Sequence, residues 1–192
     1  MTLNVQEAIE SRRATRKYTD QEITDEVLDR VVNLALQAPT AFNAQRADLV
    51  VVRDQAVKDA IFAASGQRQH RDAPVVLVVV ARTGKPTDLA HILGAERAAN
   101  VEKYFDSLDA ATLRETAIKD AMLVAGFALL AAQNEGLASS PTTGWDEAGV
   151  LKAVGLEANA DHGVALVTSI GYPDETPVNP GREANRRINN HY

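Results

Sequence analysis

The sequence predicts a single α+β domain in which a small sheet is layered between helices. Three short apolar runs, 49–52, 74–80 and 164–170, stand apart from several segments with helical periodicity. These helical segments do not alternate with the strands as a doubly wound parallel fold requires, so a layered arrangement with helices on both sides of the sheet fits better. A chain of 192 residues is long enough for one domain with its own core.

Asn4 followed by Glu7 has the form of a capping box, and Val5, Ala8 and Ile9 share one face, so 4–12 reads as a short helix. Val27, Leu28, Val31, Val32, Leu34 and Ala35 form a helical stripe over 24–38, with Thr24 as the expected N-cap. Pro39 stops it, because a residue before proline avoids the α region. Residues 49–52 read as a buried strand. Asp54 then caps a helix to about residue 64, which Gly66 ends. The clearest strand is 74–80, whose unbroken apolar character implies that both faces are covered.

Residues 87–109 are charged and helical in pattern, and 112–134 read as one long helix. The middle of that helix, 121–132, is apolar all round, which implies burial or a subunit interface. Residues 145–154 read as a further helix ended by Gly155, and 164–170 as a third strand ended by Gly171, Tyr172 and Pro173. The rest, 173–192, has the polar composition of an extended tail. No repeat, low-complexity tract or linker divides the chain, so 1–192 is expected to be one domain with a helical excursion at 87–116.

Composition narrows the function. The net charge of −6 and pI near 5.2 disfavour a general nucleic-acid binder. There is no cysteine, which rules out disulfides, thiolate nucleophiles and cysteine-ligated metal centres. The opening residues lack a leader pattern and the longest apolar runs are too short for a bilayer, so a cytoplasmic location without membrane attachment is expected. His70, His91, His162 and His191 lack metal-ligand spacing and read as structural or exposed, so no metal is expected. Dinucleotide-binding, Walker A and nucleophile-elbow motifs are all missing.

Three constellations remain. Arg12, Arg13 and Arg16 fall within five residues, in an otherwise acidic chain. Their forked donors suit a phosphate, although a solvated basic surface has the same pattern. Gln67 and Gln69, two apart, point the same way if 65–71 is extended, and offer donor and acceptor to a heterocycle edge; an exposed polar loop is the alternative. Ser139 to Gly144 precedes a helix, and the turn's backbone N–H groups can serve either a ligand or ordinary capping.

Taken in order, five segments resemble the nitroreductase family of FMN-dependent oxidoreductases. They are Arg12-Arg13-Ala14-Thr15-Arg16-Lys17-Tyr18, Ala38-Pro39-Thr40-Ala41-Phe42-Asn43-Ala44-Gln45, Gly66 to Pro74, Pro141-Thr142-Thr143-Gly144-Trp145-Asp146, and Gly171-Tyr172-Pro173 with a basic tail. The resemblance implies a mostly antiparallel central sheet flanked by helices, and an intertwined homodimer with two FMN sites at its interface. It implies that Arg12, Arg13 and the tail's Arg182 hold the phosphate, that Arg16 lies near the flavin's N1–C2 edge, and that Gln69 binds the ring's polar edge. Pro39, Thr40 and Asn43 would approach from the second subunit. Thr143 and Gly144 would offer N–H groups toward N5, with Ala14, Gln67, Pro141 and Thr142 completing the cofactor-binding set.

The implied activity takes electrons from NADH or NADPH through the flavin to nitroaromatic, quinone or related acceptors by a ping-pong mechanism. No protein side chain is assigned as catalytic beyond Arg16's support of flavin charge. A non-catalytic flavin store or sensor, and an adaptor that binds a phosphorylated partner, are the alternatives. Three departures from the family pattern stand out: Ala14 in place of serine, Gln45-Arg46 in place of Gln-Pro-Trp, and a tail in which Arg182, Arg186 and Arg187 compete for the phosphate, Arg182 being favoured.

Overall fold

Among the described residues, one four-stranded antiparallel sheet forms the centre of the fold. The computed structural model describes residues 3–87, 89–156 and 161–183. The sheet's strands are β1 (Ala47–Val52), β2 (Val75–Arg82), β3 (Ala138–Thr142) and β4 (His162–Gly171), paired in the order β1-β2-β4-β3. The helices are α1 (Val5–Ser11), α2 (Asp25–Ala35), α3 (Gln55–Ser65), α4 (Arg68–Asp72), α5 (Ala90–Leu93), α6 (Ala95–Asp106), α7 (Ala110–Asn134) and α8 (Glu147–Ala153).

The central strand β2 is buried on both faces, as its apolar run predicts, and its side chains alternate between two cores. Val75 and Leu77 pack with α2 and the end of α7, and Val79 and Ala81 pack with the rest of α7. Val76, Val78 and Val80 face α3 and α8. The result is a helix–sheet–helix sandwich, the α+β layering expected of the sequence.

Local signals place most elements. The Asn4–Glu7 capping box forms in both directions, at 2.9 Å each way. Asp54 accepts the Val57 N–H at 3.1 Å, and Gly66 closes α3 in the left-handed region (φ 67°). Asp109 starts α7 by accepting the Thr112 N–H at 2.7 Å. The charged stretch resolves into α5 and α6, split at Gly94, before α7 begins.

Three expectations need correction. The stretch before Trp145 is not merely a turn: residues 138–142 form β3, an edge strand that tolerates Pro141 because one of its sides needs no ladder bonds. The 65–71 segment is not extended, since Arg68–Asp72 turns into the short helix α4 with Gln67 as its N-cap. Helix α2 ends at Ala35, three residues before Ala38, because residues 36–38 form tighter turns ahead of Pro39.

Candidate functional site

Strand β3 is the spine of the candidate site. At one end Ala14 bridges Ser139, and the Thr15 N–H donates to the Ser139 carbonyl at 3.0 Å. This ties the arginine segment to the sheet. The tail returns along the same segment: Tyr18 bridges Pro173, the Asp174 N–H donates to the Lys17 carbonyl at 3.0 Å, and Glu175 accepts from the Arg16 and Lys17 N–H groups. Glu175 is held below the usual carboxylate range, chiefly by the hydrogen bond from the Arg16 backbone.

This return brings Arg182 to the side of Arg12. The Arg12 guanidinium has its pKa lowered, first by burial and then by the positive charges of Arg182 and Arg13. Its Nη1 is buried with no hydrogen-bond partner. Arg13 is half-buried and donates to the Glu10 and Arg12 carbonyls, while Arg16 and Arg182 are exposed. Three cations thus converge with one buried donor unsatisfied, an arrangement that fits a polyanionic group such as phosphate. Arg186 and Arg187 lie outside the described residues.

At the other end of β3, α4 meets Thr142. His70 is fully buried, with Nε2 2.9 Å from Thr142 Oγ1 and Nδ1 3.1 Å from Ser169 Oγ. The Thr142 hydroxyl donates to the Val167 carbonyl at 3.1 Å, so it receives its second bond from His70 Nε2–H. Nδ1 is then the acceptor for Ser169. Burial pushes the His70 pKa down to about 4, in keeping with this neutral ring. Gln69, also buried, donates from Nε2 to Gln67 Oε1 at 3.1 Å. The two amides therefore do meet, although through an N-cap and first-turn geometry. Thr143 and Gly144 follow β3 as an exposed connection to α8, which opens with Asp146 accepting the Gly149 N–H at 3.2 Å.

Pro39, Thr40 and Asn43 are placed elsewhere. Their loop leads into β1, and β1 and β3 are opposite edges of the sheet. Three interstrand spacings, about 14 Å, separate those edges. Ala47 lies in the row of Ala81 and Gly163, whereas Ser139 lies opposite Ile170. That adds an offset of roughly 20 Å along the strands. Within one chain the loop and the arginine cluster do not form one site.

The loop itself is tightly specified. Phe42, Asn43 and Gln45 all have positive φ (56°, 55° and 49°), a conformation that costs a non-glycine residue about 1 kcal/mol or more. Thr40 holds the turn together, accepting from Asn43 N through its carbonyl and from Gln45 N through Oγ1, both at 3.0 Å.

The sequence singled out the segments that hold Tyr18 and Ser139 but gave neither side chain a part, and it left His70 without a partner. Ser139 is buried, with its hydroxyl unpartnered. Tyr18 donates to the Thr15 carbonyl at 2.6 Å, and its pKa is raised by burial. The closest thing to a signal was the run Gln69-His70 directly ahead of the most apolar strand. Among the described residues there is no group of side chains arranged to hold a metal and no helix long and apolar enough to cross a membrane.

Comparison with known proteins follows the same outline. The model of the nitroreductase family matches residues 9–172. A Thermus thermophilus protein named NADH dehydrogenase is 31% identical over 185 residues, covering 90% of this chain and 88% of its own. Two solved structures share the fold. A nitroreductase family protein from Streptococcus pneumoniae has a TM-score of 0.79 at 23% identity, covering 94% of this chain and 95% of its own. A candidate nitroreductase of Exiguobacterium sibiricum, crystallised with FMN, has a TM-score of 0.82 at 19% identity, with coverages of 95% and 96%.

Proposed function

The chain belongs to the nitroreductase family, and we propose that it is an FMN-dependent oxidoreductase that uses NADH or NADPH to reduce small organic acceptors such as nitroaromatics and quinones. The observation that carries this reading is the convergence of Arg12, Arg13 and Arg182 around a buried guanidinium nitrogen with no partner. Such a cluster is unfavourable by itself and becomes favourable around a phosphate.

In this reading Arg12, Arg13 and Arg182 anchor the phosphate, beside Ala14. Gln67, Gln69, Pro141, Thr142, Thr143 and Gly144, toward the far end of β3, would hold the ring. When bound, FMN supplies two-electron transfer between nicotinamide and acceptor, chemistry that no side chain of this cysteine-free protein offers. Arg16 would supply a fixed positive charge to stabilise negative charge on the reduced ring, and the Thr143 and Gly144 N–H groups would supply hydrogen-bond donors to it. Nicotinamide and acceptor use one pocket in turn, which is ping-pong order.

A second copy of the chain completes the site with Pro39, Thr40 and Asn43. Support comes from α7, whose buried face (Ala121, Val124, Ala125, Ala128) packs on the sheet while Met122, Leu123 and Phe127 remain 40–47% exposed. Leu34 of α2 lines a surface groove together with Phe127. A patch of this kind on one side of the long helix suits an isologous interface.

The experiment is direct. The purified protein is expected to be yellow, and to oxidise NADH or NADPH only when an acceptor is added. Arg16→Ala is expected to slow flavin reduction more than it weakens FMN binding. A colourless protein that gains no thermal stability from FMN rejects the reading. A yellow protein that neither nicotinamide reduces identifies a flavin store or sensor instead.

A further inference from the structure

Arg46 is the residue that stands where the family pattern has the proline of Gln-Pro-Trp. A cation at this place is expected to face solvent, yet Arg46 is only 1% exposed. Its Nη1 donates to the Leu113 carbonyl at 3.3 Å and its Nη2 to Thr116 Oγ1 at 3.0 Å, both on α7. Its Cζ sits 5.0 Å from the centre of the Phe105 ring on α6. Nη2 also lies 3.8 Å from Oδ2 of Asp120, which is 7% exposed. The other oxygen of that carboxylate, Oδ1, accepts the Ala41 N–H at 3.1 Å.

One buried pair therefore touches three elements. Asp120 anchors the start of the left-handed turn at 41–43, and Arg46 locks α6 and α7 around it. Phe42, at the turn's apex, packs against Tyr104 and Phe105 at ring separations of 5.4 and 5.8 Å. Beyond the turn, Arg82 donates to the Gln45 carbonyl from the end of β2. A loop with three non-glycine residues at positive φ holds its shape only where its surroundings over-determine it. Here the Arg46–Asp120 pair and the Phe105 ring are the buried part of those surroundings.

We propose that Arg46 and Asp120 are positioning residues that hold the 39–45 loop in the shape needed to close over FMN bound to a second copy of the chain. The inference rests on the flavin reading above. Neither residue touches the cofactor. Asp120 acts through the Ala41 N–H, and Arg46 acts by lying against the Asp120 carboxylate and by tying the start of α7 and the Phe105 ring of α6 in place. The chain thereby couples the 87–116 excursion to the loop that faces the flavin.

Two double variants separate this role from general stability. Arg46→Met with Asp120→Leu removes both charges and the acceptor for Ala41 N–H. Arg46→Met with Asp120→Asn removes both charges but keeps that acceptor. Replacing a buried ion pair by neutral groups of similar volume is usually tolerated, so both are expected to fold. FMN dissociation constants, measured by flavin fluorescence quenching on the apoprotein, are expected to rise at least tenfold for the leucine variant. The asparagine variant is expected to recover most of that loss. The visible circular dichroism of bound flavin, which reports the asymmetry of its surroundings, is expected to weaken in the same order.

Equal dissociation constants and spectra for wild type and the leucine variant overturn the inference while leaving the flavin reading intact. So does an asparagine variant as weak as the leucine variant. A wild-type protein that binds no FMN overturns both.

Discussion

His70 gives the chain a titration that its stability must register. The ring is fully buried between β4 and β3, receives a hydrogen bond from Ser169 and gives one to Thr142. Protonation would strip the acceptor from Ser169 and place an unpaired charge in the core, so burial lowers the pKa from 6.5 to about 4. In the unfolded chain the same imidazole titrates normally. Between those two values the unfolded state therefore holds one more proton, and stability rises with pH through that window. The contribution is intact above the unfolded pKa and is lost as pH falls. Linkage gives a loss of about 2 kcal/mol between pH 7 and pH 5, and about 3 kcal/mol by pH 4.

Urea denaturation of the apoprotein at fixed concentration, repeated at pH 5, 6, 7 and 8, measures this slope directly. The reference is His70→Asn, which cannot titrate and which sets the pH dependence of everything else. The wild type is expected to lose about 2 kcal/mol more than the variant from pH 7 to pH 5. In a thermal scan this is a further fall of roughly 4–8 °C for a chain of this size. The variant starts lower at pH 7, because Asn cannot span both Ser169 and Thr142, so the two curves converge on acidification. Parallel curves would show that His70 binds its proton in the folded state, and would refute the neutral Nε2–H assignment.

Other perturbations probe separate parts of the site. Arg12→Ala is expected to weaken FMN binding roughly 10- to 100-fold, the range for losing a charged hydrogen bond, while riboflavin, which lacks the phosphate, binds as before; equilibrium fluorescence titration with both ligands checks this. Phe127→Asp puts a charge on the exposed apolar face of α7 and is expected to shift a dimer to monomer in sedimentation velocity and to lower flavin retention with it. Gly171→Ala forces a Cβ to within 2.7 Å of Tyr18 Cδ1 and 2.9 Å of Pro74 Cδ. It is expected to cost about 1–3 kcal/mol by overpacking; because the Tyr18 hydroxyl is bonded to the Thr15 carbonyl, FMN affinity measured by the same titration is expected to fall too.

The legible parts of the fold were those with a local cause. The Asn4 box, the Asp54 cap and Gly66 act within four residues of chain, and each forms as its sequence pattern requires. The apolar run of β2 reports two-sided burial by composition alone. What was hidden is polar and buried. Strand β3 reads Ala-Ser-Ser-Pro-Thr, with neither β-branched enrichment nor alternation, yet Ser139 and Ser140 are almost fully buried because β4 and the arginine segment flank it. Helix α4 has no apolar stripe. It buries His70 because tertiary neighbours, Ser169 and Thr142, satisfy its ring nitrogens, and it buries Gln69 beside its local bond to Gln67. Arg46 was visible as an oddity of pattern, but its burial depends on Leu113, Thr116 and Asp120 some seventy residues away.

The same distinction explains the division of the candidate site. The arginine segment, β3 and α4 are knitted by backbone bridges and a buried histidine into one rigid edge of the sheet. The Pro39 loop is built with equal care at the other edge, where its strained backbone is held by α7 and β2. This loop carries conformational strain and rests on a buried ion pair, yet in its own chain it lies at the opposite edge of the sheet from the arginine cluster. In the proposed dimer, pairing two copies through the exposed face of α7 would turn each loop into a wall of the other copy's site. Strain in one chain would then be offset by ligand contact in its partner, and cofactor retention would be linked to assembly.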